Sequence, residues 1–242
     1  MIPYKDRKEG KKEQVQAMFN HIAHRYDFLN HFFSLGLDKY WRKKSIKILS
    51  QHTCAQPVVL DIATGTGDFV KALLKVNPKK ITGVDIAEDM LTLARSKFSH
   101  HSKEEKIHFQ EEDAENLSFS DNQFDLITIG FGVRNFENIP KGISEIYRVL
   151  RPNGIVGILE LTAPSNFPMK QIYRFYSKTV IPSFGQLLSK DKSAYTYLPN
   201  SIQEFSKKIN LTETMENIGF KNIHAKTMSF GVVTLFYGKK TN

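Results

Sequence analysis

Residues 58–68, VVLDIATGTGD, set two glycines, Gly65 and Gly67, between two acids, Asp61 and Asp68. A Gly-x-Gly at the end of an apolar run lets the backbone turn where a side chain would collide, and leaves room for a ligand against the peptide plane. The dinucleotide fingerprint needs a third glycine three residues after Gly67, and Val70 stands there. A dinucleotide also sets its pyrophosphate on the helix N-terminus, which Asp61 and Asp68 would repel. They suit a positively charged, phosphate-free ligand, and S-adenosylmethionine, with its α-ammonium and sulfonium, is one. Asp85 closes the next apolar run, where a carboxylate can accept from both hydroxyls of a ribose. Asp113-Ala114 follows the third run, where an acid can take an adenine amino group. Turn glycines or capping aspartates explain any one of these residues but not the whole set.

The elements that must position them follow from texture. Short apolar runs alternate with amphipathic segments from Val58 onward, which predicts an α/β fold around a parallel sheet. Strands are expected at 57–62, 81–86, 106–110, 124–130 and 154–161, with helices at 68–75, 88–98 and 143–150. A helix over 209–220 and two closing strands, NIHAKTM and GVVTLFYG, complete the series. Asp61, Gly65, Gly67, Asp85 and Asp113 then fall at three successive strand ends, the edge where open α/β sheets bind ligands. Residues 1–50 read as an N-terminal cap of two or three helices behind a frayed polar start of 14 residues. Residues 51–242 read as the main domain. Within it, residues 163–200, with four prolines and many aromatics, look inserted.

The chain has 242 residues, 40% of them hydrophobic, enough for a sizeable core and too many for wholesale disorder. One cysteine, Cys54, excludes an internal disulfide and any Cys-rich zinc site, and the eight histidines show no ligand pattern, so no metal is expected. His100-His101 are adjacent without chelating geometry. No apolar run is long enough to span a bilayer and the start has no apolar signal core, which points to a cytoplasmic protein. The net charge of +9 is uneven. Residues 1–50 carry 11 Lys/Arg against 5 Asp/Glu and residues 161–210 carry 7 against 2, while residues 51–160 are net acidic. The basic flanks hold HRYDFLNHFF and FPMKQIYRFY, a mixture that suits an anionic membrane surface as well as phosphates, or serves only solubility.

From about Met18 the chain resembles the UbiE/MenG family of class I methyltransferases, which methylate a carbon of a prenylated quinol. Tyr26-Asp27-Phe28-Leu29-Asn30, Ser34 and Trp41 are similar to its first signature, whose usual form has Met at the Leu29 position and His at Asp38. LDIATGTGD, DAENLSFSDNQFD and FGVRNF match its central blocks, and RVLRPNGIVGILELT (148–162) resembles its second signature. There Asn153-Gly154 replaces a double glycine and Thr162 a typical serine, while relatives often carry Ser at Gly130. The resemblance implies a Rossmann-like, seven-stranded doubly wound sheet with the last strand antiparallel. It also implies S-adenosylmethionine contacts at Thr66, Asp85, Ile86, Asp113, Ala114 and Gly130, alongside Asp61, Gly65 and Gly67, with S-adenosylhomocysteine as product.

Carbon methylation of a demethylmenaquinol, or of the ubiquinone-pathway benzoquinol, needs an ortho hydroxyl to lose its proton. A free phenol has a pKa of roughly 10, so the site must favour the phenolate. On this reading the catalytic candidates are Arg134, Asn135 and Tyr26. Arg134 cannot take the proton at neutral pH but can lower the quinol pKa and orient a water that does. Asn135 can donate to the oxyanion or place that water, and Tyr26 can bond the ring oxygen or close the site. Asp27, His21, His24 and His31 remain further candidates for the base. The insert at 163–200 has the composition of a lid over an isoprenoid tail, with Phe167, Met169, Ile172, Phe175, Ile181 and Phe184 among Lys170, Arg174 and Lys178. Such a protein would sit peripherally on the inner face of an anionic membrane, and its exposed aromatics also leave room for a homodimer. A sterol, a phospholipid or RNA stands as the alternative acceptor. Nucleic acid is not the expected partner: the slot after the fourth strand reads Gly-Phe-Gly-Val-Arg-Asn, not the Asn/Asp-Pro-Pro-aromatic of amino-methylating enzymes.

Overall fold

The computed structural model describes residues 1–4, 6–99, 106–180 and 192–241. Seven strands form one sheet: β1 (Val58–Ile62), β2 (Lys80–Asp85), β3 (Ile107–Glu111), β4 (Phe124–Gly130), β5 (Leu150–Leu161), β6 (Lys221–Met228) and β7 (Val233–Lys239). Their order is β3-β2-β1-β4-β5-β7-β6. The first five run parallel and β7 is antiparallel to both β5 and β6. This is the doubly wound sheet with a reversed last strand that the family resemblance implies. The chain leaves β1 toward β2 on one side and reaches β4 on the other. The carboxyl ends of β1 and β4 therefore flank the switch point where such sheets open a crevice.

Continuous apolar strands mean that both faces are covered. Leu60, Ile127 and Val156 face α5 (Ile139–Val149) and α8 (Leu211–Ile218), while Val59, Leu126 and Leu159 face α3 (Asp68–Leu73) and α4 (Glu88–Lys97). α5 starts four residues before its expected first residue, Ile143. The Asn138 side chain accepts from the Lys141 N–H, and Pro140 sits in the first turn, where no intrahelical donor is missed.

Ahead of the sheet stand two helices, α1 (Lys11–Phe33) and α2 (Leu37–Leu49). The expected fraying of the first 14 residues is not found. α1 begins at Lys11, whose Nζ donates to the carbonyls of Phe136 (2.5 Å) and Arg134 (3.1 Å), and the Tyr4 N–H bonds the Gln14 side chain at 2.9 Å. Lys11 thus serves two carbonyls after β4, a role invisible to local polarity.

The segment after β5 holds α6 (Met169–Phe175), which continues as a wider turn through Val180, and α7 (Lys192–Lys208). Ile181 and Phe184 lie outside the described residues, as do His100 and His101. Ala194 and Tyr197 of α7 pack with Val15, Met18 and Leu29 of α1, so the two segments flanking the sheet meet in a core of their own. Among the described residues, no helix is long and apolar enough to cross a membrane.

Candidate active site

The loop after β1 is tied to the end of β2 through one carboxylate. Asp85 Oδ2 accepts the Gly65 N–H at 2.8 Å and Oδ1 accepts the Ala87 N–H at 3.0 Å. Burial raises the Asp85 pKa, against the pull of these backbone donors. Gly65 has φ +55°, and the nearest atom to a side chain there would be Tyr26 Cε1 at 3.8 Å, so the peptide plane stands open. It opens into a chamber of about 700 Å³, including its mouth, whose wall includes Gly65, Asp85, Ile86, Asp113, Ala114 and Gly130. Tyr26 and Asn135 also line it.

Other predicted donor residues sit behind that wall. Asp61 is fully buried beneath the loop, accepting from the hydroxyls of Thr64 and Thr128 at 2.6 Å each. Burial pushes its pKa up to about 6. Thr66 is turned away, donating to Asp27 and accepting from Lys97 Nζ at 2.9 Å. Gly67, at φ +84°, lies against Phe98, where a Cβ would come within 2.6 Å of the ring.

Asp68 faces the same charged network. His31, Asp38 and Asp68 bring one potential ligand atom each within 4.8 Å of one another. The histidines had offered no such pattern in the sequence. The Arg42 guanidinium already serves both carboxylates, through a salt bridge to Asp38 and a 3.7 Å approach to Asp68. The cluster therefore reads as an ion network joining α1, α2 and α3. Asp27 pairs with Lys97, and neither His21, His24, His31 nor Asp27 lines this chamber or the neighbouring one.

The second chamber, about 1060 Å³ with its mouth, is walled mainly by apolar and aromatic side chains. Met18, Leu29, Trp41, Leu161, Tyr173 and Leu198 are among them, and Arg134 provides a cation. Phe19, Tyr26 and Phe131 stand in the walls of both chambers. Phe131 holds φ +61°, a conformation bulky residues rarely adopt, and its ring meets Trp41 edge-on at 6.3 Å.

Arg134 is buried, and so is the partner that sequence reading missed. Its Nη1 donates to Glu160 Oε1 at 2.7 Å, and its backbone N–H donates to Oε2 at 3.2 Å. Burial disfavours the Arg134 charge, but Glu160 together with the oxygens of Tyr197 and Tyr26 outweighs it and raises the pKa. Arg134 Nε is enclosed with no hydrogen-bond partner among the described residues. An orphan of this kind costs about 1–3 kcal/mol until an acceptor reaches it. Beside it, Tyr197 donates to Asn135 Oδ1 at 3.1 Å. That contact orients the Asn135 amide with its N–H₂ end left to donate elsewhere. Burial raises Tyr173 and Tyr197 to about 12 and Tyr26 upward, so all three remain hydrogen-bond donors at neutral pH.

The first chamber fits S-adenosylmethionine. Asp85, Glu112, Asp113 and Glu115 line it, and Lys12, the single basic side chain among its described wall residues, is paired with Asp113 at 3.0 Å. A phosphate would find no available cation there, whereas an ammonium and a sulfonium meet acids. Residues 7–240 match the ubiE/COQ5 methyltransferase family. The chain belongs to that family. A demethylmenaquinone methyltransferase of Bacteroides fragilis is 47% identical over 240 residues, covering 98% of this chain and 96% of the relative. A ubiquinone/menaquinone biosynthesis C-methyltransferase UbiE of Geotalea daltonii is 40% identical over 95% of this chain and 97% of its own. An S-adenosylmethionine-dependent methyltransferase structure from Thermotoga maritima superposes with a TM-score of 0.63 at 18% identity, over 93% of this chain and 99% of that one. This last likeness shows a shared fold.

Proposed function

We propose that the chain moves the methyl group of S-adenosylmethionine to a ring carbon of a demethylated, prenylated quinol, releasing S-adenosylhomocysteine. One observation carries this reading: an acid-lined chamber and an apolar one meet at a wall built by Phe19, Tyr26 and Phe131. The first suits a cationic nucleoside, the second an aromatic ring with a greasy tail, and their junction suits transfer between them. The names of the relatives support the same acceptor class.

When bound, S-adenosylmethionine supplies an electrophilic methyl group. The chain's own residues do the rest. Asp85 receives the ribose hydroxyls and Asp113-Ala114 faces the adenine, with Ile86 and Gly130 closing the wall. Asp61, Thr66 and Gly67 act one layer back by shaping the loop. Arg134 donates to the quinol oxygen and favours its anion, and Asn135 donates to the same oxygen or holds the water that takes its proton. Tyr26 closes the junction. No residue here needs a metal. Alignment of two bound partners is the main source of rate, a term that reaches roughly 7–11 kcal/mol.

In this reading residues 1–50 are a cap over both chambers and residues 163–200 a lid over the tail. Phe32, Phe167, Phe175 and Phe230 are 42%, 82%, 65% and 84% exposed. Tyr176, just past α6, donates to the Phe33 carbonyl at 2.7 Å and so ties the end of α1, with Phe32, to the segment that carries Lys170, Arg174, Phe175 and Lys178. Such a face suits peripheral attachment to the inner surface of an anionic membrane. Flotation with anionic liposomes at low salt, lost at high salt, is expected. No flotation at low salt removes the membrane part alone.

The decisive experiment gives the purified protein labelled donor together with demethylmenaquinol, the corresponding benzoquinol, a sterol, a phospholipid and RNA in separate reactions. Label on a quinol ring carbon is expected. Label in a sterol, phospholipid or RNA, with both quinols untouched, overturns the proposal.

A further inference from the structure

The geometry points to Glu160 as the positioning residue of the acceptor chamber: it pins the Arg134 guanidinium so that Nε is presented to a ring oxygen, and it neutralises most of the charge that oxygen would otherwise feel. This rests on the quinol reading of the chamber. Glu160 is wholly buried on β5, and its carboxylate accepts from the Leu161 N–H (2.8 Å) as well as from Arg134 at two places. On the arginine, Nη1 is divided between Glu160 and the Phe131 carbonyl, which fixes the plane of the group. Nε, buried and without a partner among the described residues, is the donor this arrangement keeps in reserve.

On one side Arg134 shares a cavity wall with Lys11, Glu137, Glu204 and Lys208. There Glu204 pairs with Lys208 at 2.9 Å and with the chain's amino terminus at 3.0 Å, and Glu137 accepts the Lys11 N–H at 3.1 Å. Tyr26 from α1, Tyr173 from α6 and Tyr197 from α7 are neutral donors, Lys11 from α1 bonds the Arg134 carbonyl, and Arg42 and Asp38 in the same chamber wall pair with each other. Glu160 is thus the group that sets how cationic Arg134 looks to the acceptor. A bare guanidinium would bind any anion strongly; a pinned ion pair favours an acceptor whose oxygen sits at one place.

The test uses Glu160→Gln, Glu160→Asp, Arg134→Met and the double variant Arg134→Met/Glu160→Gln in the full chain. Two readouts are taken: methylation of demethylmenaquinol, and the absorbance pH titration of bound 4-nitro-1-naphthol, a coloured phenol that needs no methyl transfer. With Glu160→Gln the bound phenol is expected to ionise at least one pH unit lower than in the parent, because the arginine charge is no longer offset. The kcat should fall at least tenfold while donor affinity holds. Glu160→Asp keeps the charge, so the titration should stay put while kcat falls. The double variant should turn over no more slowly than Arg134→Met alone. An unmoved titration midpoint in Glu160→Gln overturns the proposal. Should that variant not fold, the double variant compared with Arg134→Met alone decides: slower turnover than Arg134→Met overturns it and equal turnover supports it. A parent protein that binds and titrates the phenol but methylates no quinol instead counts against the quinol reading.

Discussion

Asp85 accepts the Gly65 N–H at 2.8 Å, so the residue placed to receive a ribose also fixes the turn on which the nucleoside rests. Asp85→Asn breaks both roles, because an amide presents its N–H₂ to one of the two backbone donors it now satisfies. The affinity for S-adenosylhomocysteine should fall at least tenfold by calorimetry, with a modest drop in melting temperature. Unchanged affinity would move the ribose contact elsewhere.

Asp61 sets a pH dependence of stability. Its folded pKa of about 6 lies above the ordinary 3.8, so the folded chain holds the proton more tightly between those values. Stability from this group is greatest below the unfolded value, declines as pH rises through that window and levels off above it, a change of about 3 kcal/mol at most. Asp61→Asn keeps the shape, and the Thr64 and Thr128 hydroxyls can each donate or accept. Melting temperatures of this variant measured from pH 3.8 to about 6 should vary less with pH than the parent's. An equal slope would mean another group carries it.

Two glycines separate backbone strain from overlap. Gly36 has φ +75° with nothing within 4 Å of an added Cβ, whereas Gly67 has φ +84° with Phe98 at 2.6 Å. Gly36→Ala should cost about 1 kcal/mol and Gly67→Ala clearly more, on the order of 2–4 kcal/mol. Denaturant titrations of the two variants provide the comparison, and equal losses would show that Phe98 moves aside freely.

Gly130 tolerates a side chain. A Cβ there meets Phe69 at 3.4 Å, and the residue lines the donor chamber. Gly130→Ser should fold normally and bind S-adenosylhomocysteine several-fold more tightly, through about 1 kcal/mol of added hydrogen bonding. Weaker binding would place the hydroxyl against the Phe69 ring instead.

The strand ends and the acids on them were legible because sheet residues announce themselves by apolar runs and because each acid stands at the end of one. Glu160 was not. It lies in the middle of the buried run GILEL, and its partnership with Arg134 depends on register: Gly130 pairs with Leu159, which sets the segment after β4 beside Glu160. Tyr197 was hidden for a similar reason, since its contact with Asn135 spans 62 positions. Thr66 and Gly67 matched a motif whose residues divide between facing the chamber and packing behind it, and only the backbone path separates the two. The early start of α1 escaped because its lysine bonds carbonyls more than 120 positions away.

Phe19 and Tyr26 both belong to α1 and both border the two chambers. A single helix therefore has a hand in nucleoside retention and in ring selection. Exchanging it with that of a relative that prefers another ring should transfer some of that preference and alter product release together, and laboratory evolution for a new acceptor would have to tune the two traits jointly.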